Sequence, residues 1–184
     1  RLVVHRKYRL YYLLELFFGA RKQIFITFGP WVLIKVYGVP ATSIARLLMT
    51  AALIGIVFKP LAGLAMDRFG ERAIMVTDGL CLIFVCLGYG YALPLTGSPQ
   101  KALTLASACF IADNLLFALG ACRAIYLSRI ADSPQNLASS LAMGVSINHA
   151  ISMTVPALAG VAWTVLGYER VFAGAALLAA ATAA

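Results

Sequence analysis

Long apolar stretches, broken at only a few charged or Pro/Gly-rich points, limit what this chain can fold into more than any other feature. Of its 184 residues, 62% are hydrophobic and 12% charged, and the charges cluster between apolar runs instead of spreading along the chain. A soluble domain of this size carries about a quarter of its residues as charged side chains, whereas a hydrocarbon core of about 30 Å asks for apolar helices of about 20 residues. The pattern predicts an all-α, polytopic transmembrane helix bundle. The runs lack the period-two alternation of a membrane barrel and are too long for barrel strands, so helices are the form that satisfies their backbone groups in lipid.

The breaks place six spans, at about 11–37, 42–66, 73–95, 102–130, 137–166 and 170–184, after a basic leader over 1–10 that contains Arg6-Lys7-Tyr8-Arg9. Gly38-Val39-Pro40 ends the first span. A polar turn from Asp67 to Arg72 follows the second, Pro94 with Gly97-Ser98-Pro99 follows the third, and Asp132-Ser133-Pro134 follows the fourth, because proline blocks helix continuation and glycine weakens it. The last run, Leu177 to Ala184, reads as an unfinished span, and the start at Arg1 has no methionine, so an excerpt from a longer protein is expected. Small residues four apart, Gly120 and Ala124 or Ala142 and Ser146, suit close helix packing.

The formal net charge of +8 would raise nucleic acid as a partner in a soluble chain. Here several cations flank spans, and no basic run alternates with an exposed aromatic platform, so nucleic acid is not expected. With the amino end cytoplasmic, that side holds Arg1, Arg6, Lys7, Arg9, Arg68, Arg72 and Arg129, against Lys35, Arg46, Lys101 and Arg170 on the other. Cations retained on the cytoplasmic side favour that orientation. Cys81, Cys86, Cys109 and Cys122 all sit in apolar runs without ligand spacing, which excludes a zinc site or disulfide framework by pattern. No cofactor or metal is expected. Neither a nucleophile–base arrangement, an H-E-x-x-H motif nor a phosphate-binding glycine loop is present, so an enzyme is not expected either.

The turn after the second span reads Gly63-Leu64-Ala65-Met66-Asp67-Arg68-Phe69-Gly70-Glu71-Arg72. In local terms, Gly63 would permit close helix approach, Asp67 would pair with an arginine across a neighbouring helix, and Gly70 would close a tight turn. This G-x-x-x-D-R-x-G-x-R string resembles the loop between the second and third helices of each half of major facilitator superfamily transporters. The layout of basic leader, six spans and polar linker Ser128-Arg129-Ile130-Ala131-Asp132 is similar to their carboxy-terminal half. The resemblance implies a bacterial plasma-membrane protein working as half of a secondary transporter by alternating access. Its implied partners are the lipid bilayer, a small polar or anionic solute, protons in a symport or antiport, and a separate amino-terminal six-helix half or another membrane subunit. No internal identity links residues 11–95 with 102–184.

An ionisable group inside a span is costly unless it faces a partner, a bundle interior or water. Arg21, Lys22, Lys59, Asp78, Asp113, Arg123 and His149 are such groups. The resemblance implies that the first and fourth helices line a cavity with help from the second and fifth, which makes Arg21, Asp113 and His149 the leading trio. Lys22, Gln23, Asn114 and Asn148 stand beside them. Arg21 and Lys22 differ by about 100° around their helix, so only one can face a cavity squarely; Arg21 is preferred for its planar fork, with Lys22 the alternative. Ser139, Ser146, His149 and Ser152 form one polar face of the fifth span, while Pro30, Pro60 and Pro156 mark potential bends. The plainer alternatives are a structural Arg21–Asp113 ion pair, a snorkelling Lys59, an Asp78 that supports the signature loop through its arginines, and a His149 that only packs. A proton carried by Asp113 or His149 is the mechanistic expectation, and a non-transporting membrane scaffold is the alternative function.

Overall fold

The computed structural model describes residues 6–183. Residues 1–5, with Arg1 of the leader and of the orientation count, and Ala184 at the end of the sixth predicted span lie outside the described residues. A 3₁₀ turn, Arg6–Tyr8, leads into eight helices: α1 (Arg9–Lys35), α2 (Ala41–Phe69), α3 (Glu71–Gly90), α4 (Ala92–Thr96), α5 (Pro99–Leu116), α6 (Ala121–Ile130), α7 (Pro134–Leu166) and α8 (Tyr168–Ala183). There is no strand among the described residues.

Helix ends fall where local chemistry puts them. Pro99 and Pro134 occupy first-turn positions of α5 and α7, where the missing N–H is harmless. The Ser133 hydroxyl accepts the Asn136 amide at 3.2 Å and caps α7. Pro30, Pro60 and Pro156 all stay within continuous helices. The fourth predicted span is not a single α-helix: a 3₁₀ segment, Phe117–Gly120, separates α5 from α6.

Among the described residues, four segments are long and apolar enough to cross a membrane, as an integral membrane protein requires: α2, α3, the continuous Pro99–Ile130 unit and α7. The six expected spans reduce to four by that measure. The 27 residues of α1 carry Arg21, Lys22 and Gln23 at their centre and Glu15 two turns before them, and α8 has 16 described residues.

The helix pairings follow one rule. α3 packs along α8, α1 along α7 and α8, and α5 along α2 and α3. Exchanging the triplet α1, α2, α3 for the triplet α5–α6, α7, α8 carries α1·α7 into α5·α2 and α1·α8 into α5·α3, and leaves α3·α8 in place. Two one-residue turns obey the same exchange. Gly70 joins α2 to α3 with φ 80° and ψ 158°, and Gly167 joins α7 to α8 with φ 86° and ψ 162°, a region open essentially to glycine alone. The flanking strings, Phe69-Gly70-Glu71-Arg72 and Leu166-Gly167-Tyr168-Glu169-Arg170, share the Gly, Glu and Arg in the same order. A repeat that overall identity does not reveal is thus visible in packing and turn geometry.

Three layers stack along α1. At one end Phe25 meets Tyr89 of α3 and Phe172 of α8, with ring centroids 5.0 and 5.2 Å away. At the other end Tyr8, Tyr11, Tyr12, Tyr126 and Leu127 form a buried cluster. Between them lies the layer of charges.

Candidate functional site: a charged layer around α1

Helical spacing sorts the polar residues of α1 onto two faces, since positions three, four and seven apart lie above one another. Phe18, Arg21 and Phe25 share the inward face. Glu15, Gly19 and Lys22 share the face toward α7, where the Asn148 side chain sits 3.2 Å from where a Gly19 Cβ would be. Neighbours in sequence therefore serve different helices.

On the inward face, Arg21 Nη1 donates to the Asp113 carboxylate, and the two side chains are 1% and 8% exposed. This is the structural ion pair foreseen as the plainer alternative. The preference for Arg21 as the cavity-facing member of its pair is overturned, because its face of α1 turns into the bundle. Lys22 is half-buried on the other face, where it donates to Asn148 Oδ1 at 3.3 Å and lies 5.1 Å over the Phe117 ring.

A second ion pair completes the layer. Arg123 Nε of α6 donates to Glu15 Oε1 at 2.8 Å, and Glu15 Oε2 accepts from Asn148 Nδ2 at 3.4 Å. Arg21 and Arg123 both lie against Phe18, at 5.5 and 3.3 Å from its centroid, a cation–π arrangement that contributes about 0.5–2 kcal/mol for each cation according to its desolvation. The connected set is thus Arg123, Glu15, Asn148 and Lys22, with Phe18 between this set and the Arg21–Asp113 pair. Glu15 was not among the expected residues. Its spacing of seven from Lys22, with opposite charge, was the available signal.

The other expected residues stand apart. Gln23 donates to Thr27 on its own helix at 3.2 Å, and Asn114 donates to the Phe110 carbonyl at 2.8 Å. His149 is exposed on the outer face of α7, away from the Arg21–Asp113 pair, because its position points opposite to the face that meets α1. Ser139 and Ser146 bond back to the carbonyls of Asn136 and Ala142. Ser140, one position from Ser139, is instead the buried serine of α7 and accepts from Tyr12 Oη at 3.1 Å. A cavity of about 320 Å³ opens beside Asp113 between α1, α2 and α5, walled by Phe25, Phe110 and Phe117 and edged by Asn114.

The signature loop works differently from expectation. Asp67, Arg68 and Arg72 are exposed, and none of them joins a salt bridge among the described residues. Glu71 takes the pairing role, its Oε2 lying 2.9 Å from Arg129 Nη1 of α6, since it begins α3 on the side facing α6. A Cβ at Gly63 would meet nothing within 4 Å, so this glycine permits no close approach here. Gly70 does close the turn. Asp78 is buried two turns into α3 and does not reach the loop arginines. Lys59 is exposed. Beside this loop, Lys7 pairs with Asp132, whose hydrogen bond holds the Lys7 ammonium above the ordinary lysine range.

Among the small pairs, Gly120 admits Phe18, whose Cζ lies 3.3 Å from an added Cβ, while Ala142 is exposed and Gly144 is where α7 meets Tyr11 of α1. The described residues contain no group of three or more His, Cys, Asp or Glu side chains able to hold a metal ion. Comparison with known protein families, curated proteins and solved structures found no match to this chain.

Proposed function

We propose that the chain is a six-helix half of a secondary transporter of the major facilitator type, moving a small polar or anionic solute by alternating access. One observation carries this reading. The least apolar of the four candidate spans, α7, is also the least buried, with 6% of its most apolar stretch covered against 33% for α3. Lipid would select the reverse, since an exposed polar group in hydrocarbon is expensive. A face that shows His149 and Ser146 outward, beside the Lys22–Asn148 contact, suits water or a second protein half. The exchange rule among helix pairings further supports the reading, because transporter halves are built from repeated three-helix units around a central site. In this arrangement Lys22, rather than Arg21, is the cation presented to solute, the amino end is cytoplasmic and the setting is a bacterial plasma membrane.

The test is flux through the assembly purified in mild detergent with whatever it binds, reconstituted into liposomes containing a trapped pH-sensitive dye. Radiolabelled mono- and dicarboxylates are the probes. Saturable uptake of one of them, weakened severalfold in Lys22→Met, is expected. Absence of uptake and of solute-dependent proton movement would contradict transport. A membrane scaffold is the second reading, favoured by one observation: Arg21 and Arg123 are both held by carboxylates inside the chain. Stoichiometric retention of another membrane subunit without flux would support it.

A further inference from the structure

Asp78 is 7% exposed in α3, and its Oδ1 finds no hydrogen-bond partner. Arg21, 1% exposed, leaves Nε and Nη2 equally without partners while Nη1 serves Asp113. Orphaned donors and an orphaned acceptor are rare in a folded interior, and each costs about 1–3 kcal/mol. They lie in the same charged layer.

The charges acting on Asp78 come from α1, α5 and α6; α2, which also packs on α3, carries Arg46, Lys59, Asp67 and Arg68, all exposed and none of them among these charges. Arg21 of α1 attracts the Asp78 carboxylate most strongly, then Arg123 of α6, while Asp113 of α5 repels it. Cys122 of α6 is also within electrostatic range. From α8, Ala179 and Ala183 make the nearest approach to the neighbouring Gly79. On α3 itself, Glu71 is engaged with Arg129 at the helix start. Both arginines already hold a carboxylate, Asp113 and Glu15. Lys22, the third cation of the layer, lies on the face of α1 toward α7 and is bound to Asn148, so Asp78 has no cation paired with it among the described residues. A lone buried carboxylate is a costly species, and a neutral carboxylic acid in the same place is not.

We propose that Asp78 is a proton-binding site of the charged layer, occupied in this arrangement and emptied when Arg21 turns its free donors onto it. In the occupied form a proton from water is bonded to one carboxylate oxygen. On release that O–H bond breaks, the proton returns to water, and Arg21 Nε–H or Nη2–H donates to the resulting anion. Asp78 thus takes the proton-carrying role that the sequence pattern assigned to Asp113 or His149. The assignment depends on the buried layer and not on transport, so it stands or falls separately from the flux experiment.

Infrared spectroscopy of the purified chain in lipid tests it through the carbonyl band of a neutral carboxylic acid. In mildly acidic buffer the band is expected in the native chain and in Asp67→Asn, lost in Asp78→Asn and displaced in Asp78→Glu, and raising the pH through neutrality should remove it. A native chain without such a band in mildly acidic buffer, or a band that survives Asp78→Asn, would overturn the assignment. Should Asp78→Asn fail to fold, an undisplaced band in Asp78→Glu would overturn it equally.

Discussion

The α3–α8 seam and the surroundings of α1 solve the same problem, holding helices together in lipid, by opposite means. Along α3–α8 the backbones touch: a Cβ at Gly79 would lie 2.7 Å from Ala183 Cβ, and one at Gly90 would lie 2.7 Å from Phe172 Cβ. Around α1, three helices are tied by Asp113, Arg123 and Asn148 to Arg21, Glu15 and Lys22. Shape fixes the first region, since apolar burial gives helices no net drive to associate in lipid and close approach of small residues does. Polar bonds fix the second, and they can be exchanged or hydrated. The difference separates a frame from a working surface.

The largest expected effect tests whether the inward side of α1 is truly dry. Arg21→Met leaves Asp113 buried and unpaired, at a cost of about 3–5 kcal/mol in a reversible unfolding titration in mixed micelles. Adding Asp113→Leu should recover most of that loss, because a buried ion pair and a packed apolar pair are of similar worth. A single-variant cost below about 1 kcal/mol, the level of an exposed pair, would mean that water reaches the site and the contrast fails.

Next comes the frame. Gly90→Ala should destabilise by about 1–3 kcal/mol through overpacking against Phe172, whereas Gly63→Ala, with open space around it, should be neutral or gain up to about 1 kcal/mol from helix propensity. Equal costs at the two glycines would remove the argument that α3–α8 is held by shape. The smallest effect belongs to the polar side: Tyr12→Phe deletes the bond to Ser140 and should cost about 0.6 kcal/mol in the same titration, the usual value for one interhelical hydrogen bond in a bilayer. A cost above about 2 kcal/mol would show that this contact, too, belongs to the frame.

Much of the frame was legible in the sequence. Gly38, Gly70, Gly97 and Ser133-Pro134 end or start helices within a few residues of the expected points, because their backbone demands are local. The 3₁₀ break at Phe117–Gly120 was not, as no proline marks it; Gly120 there sits against Phe18 of α1 and the Arg123 guanidinium. At the site, residue types were legible and directions were not. Arg21, Lys22, Asp113 and Asn148 do carry the polar layer, but a rotation of one residue decides which cation is sealed in and which stays at the edge. His149 was drawn into the trio by chemistry alone, and α7 turns it outward. Asp67 and Glu71 exchange roles for a similar reason: the loop string tells that an acid pairs there, and only the start of α3 decides which one.

The outward face of α7 is where the reading of this chain can be tested most directly. With the four native cysteines replaced, single cysteines at Ser146 and His149 of α7 and at Leu53 and Ile56 of α2 can be challenged in a bilayer with a membrane-impermeant thiol reagent. The reagent needs a hydrated thiolate, and both α2 positions are large exposed apolar side chains of the kind lipid covers. The α7 positions are expected to react at least about tenfold faster than the α2 positions. Equal protection at all four would place α7 in lipid and contradict a hydrated, partner-facing surface.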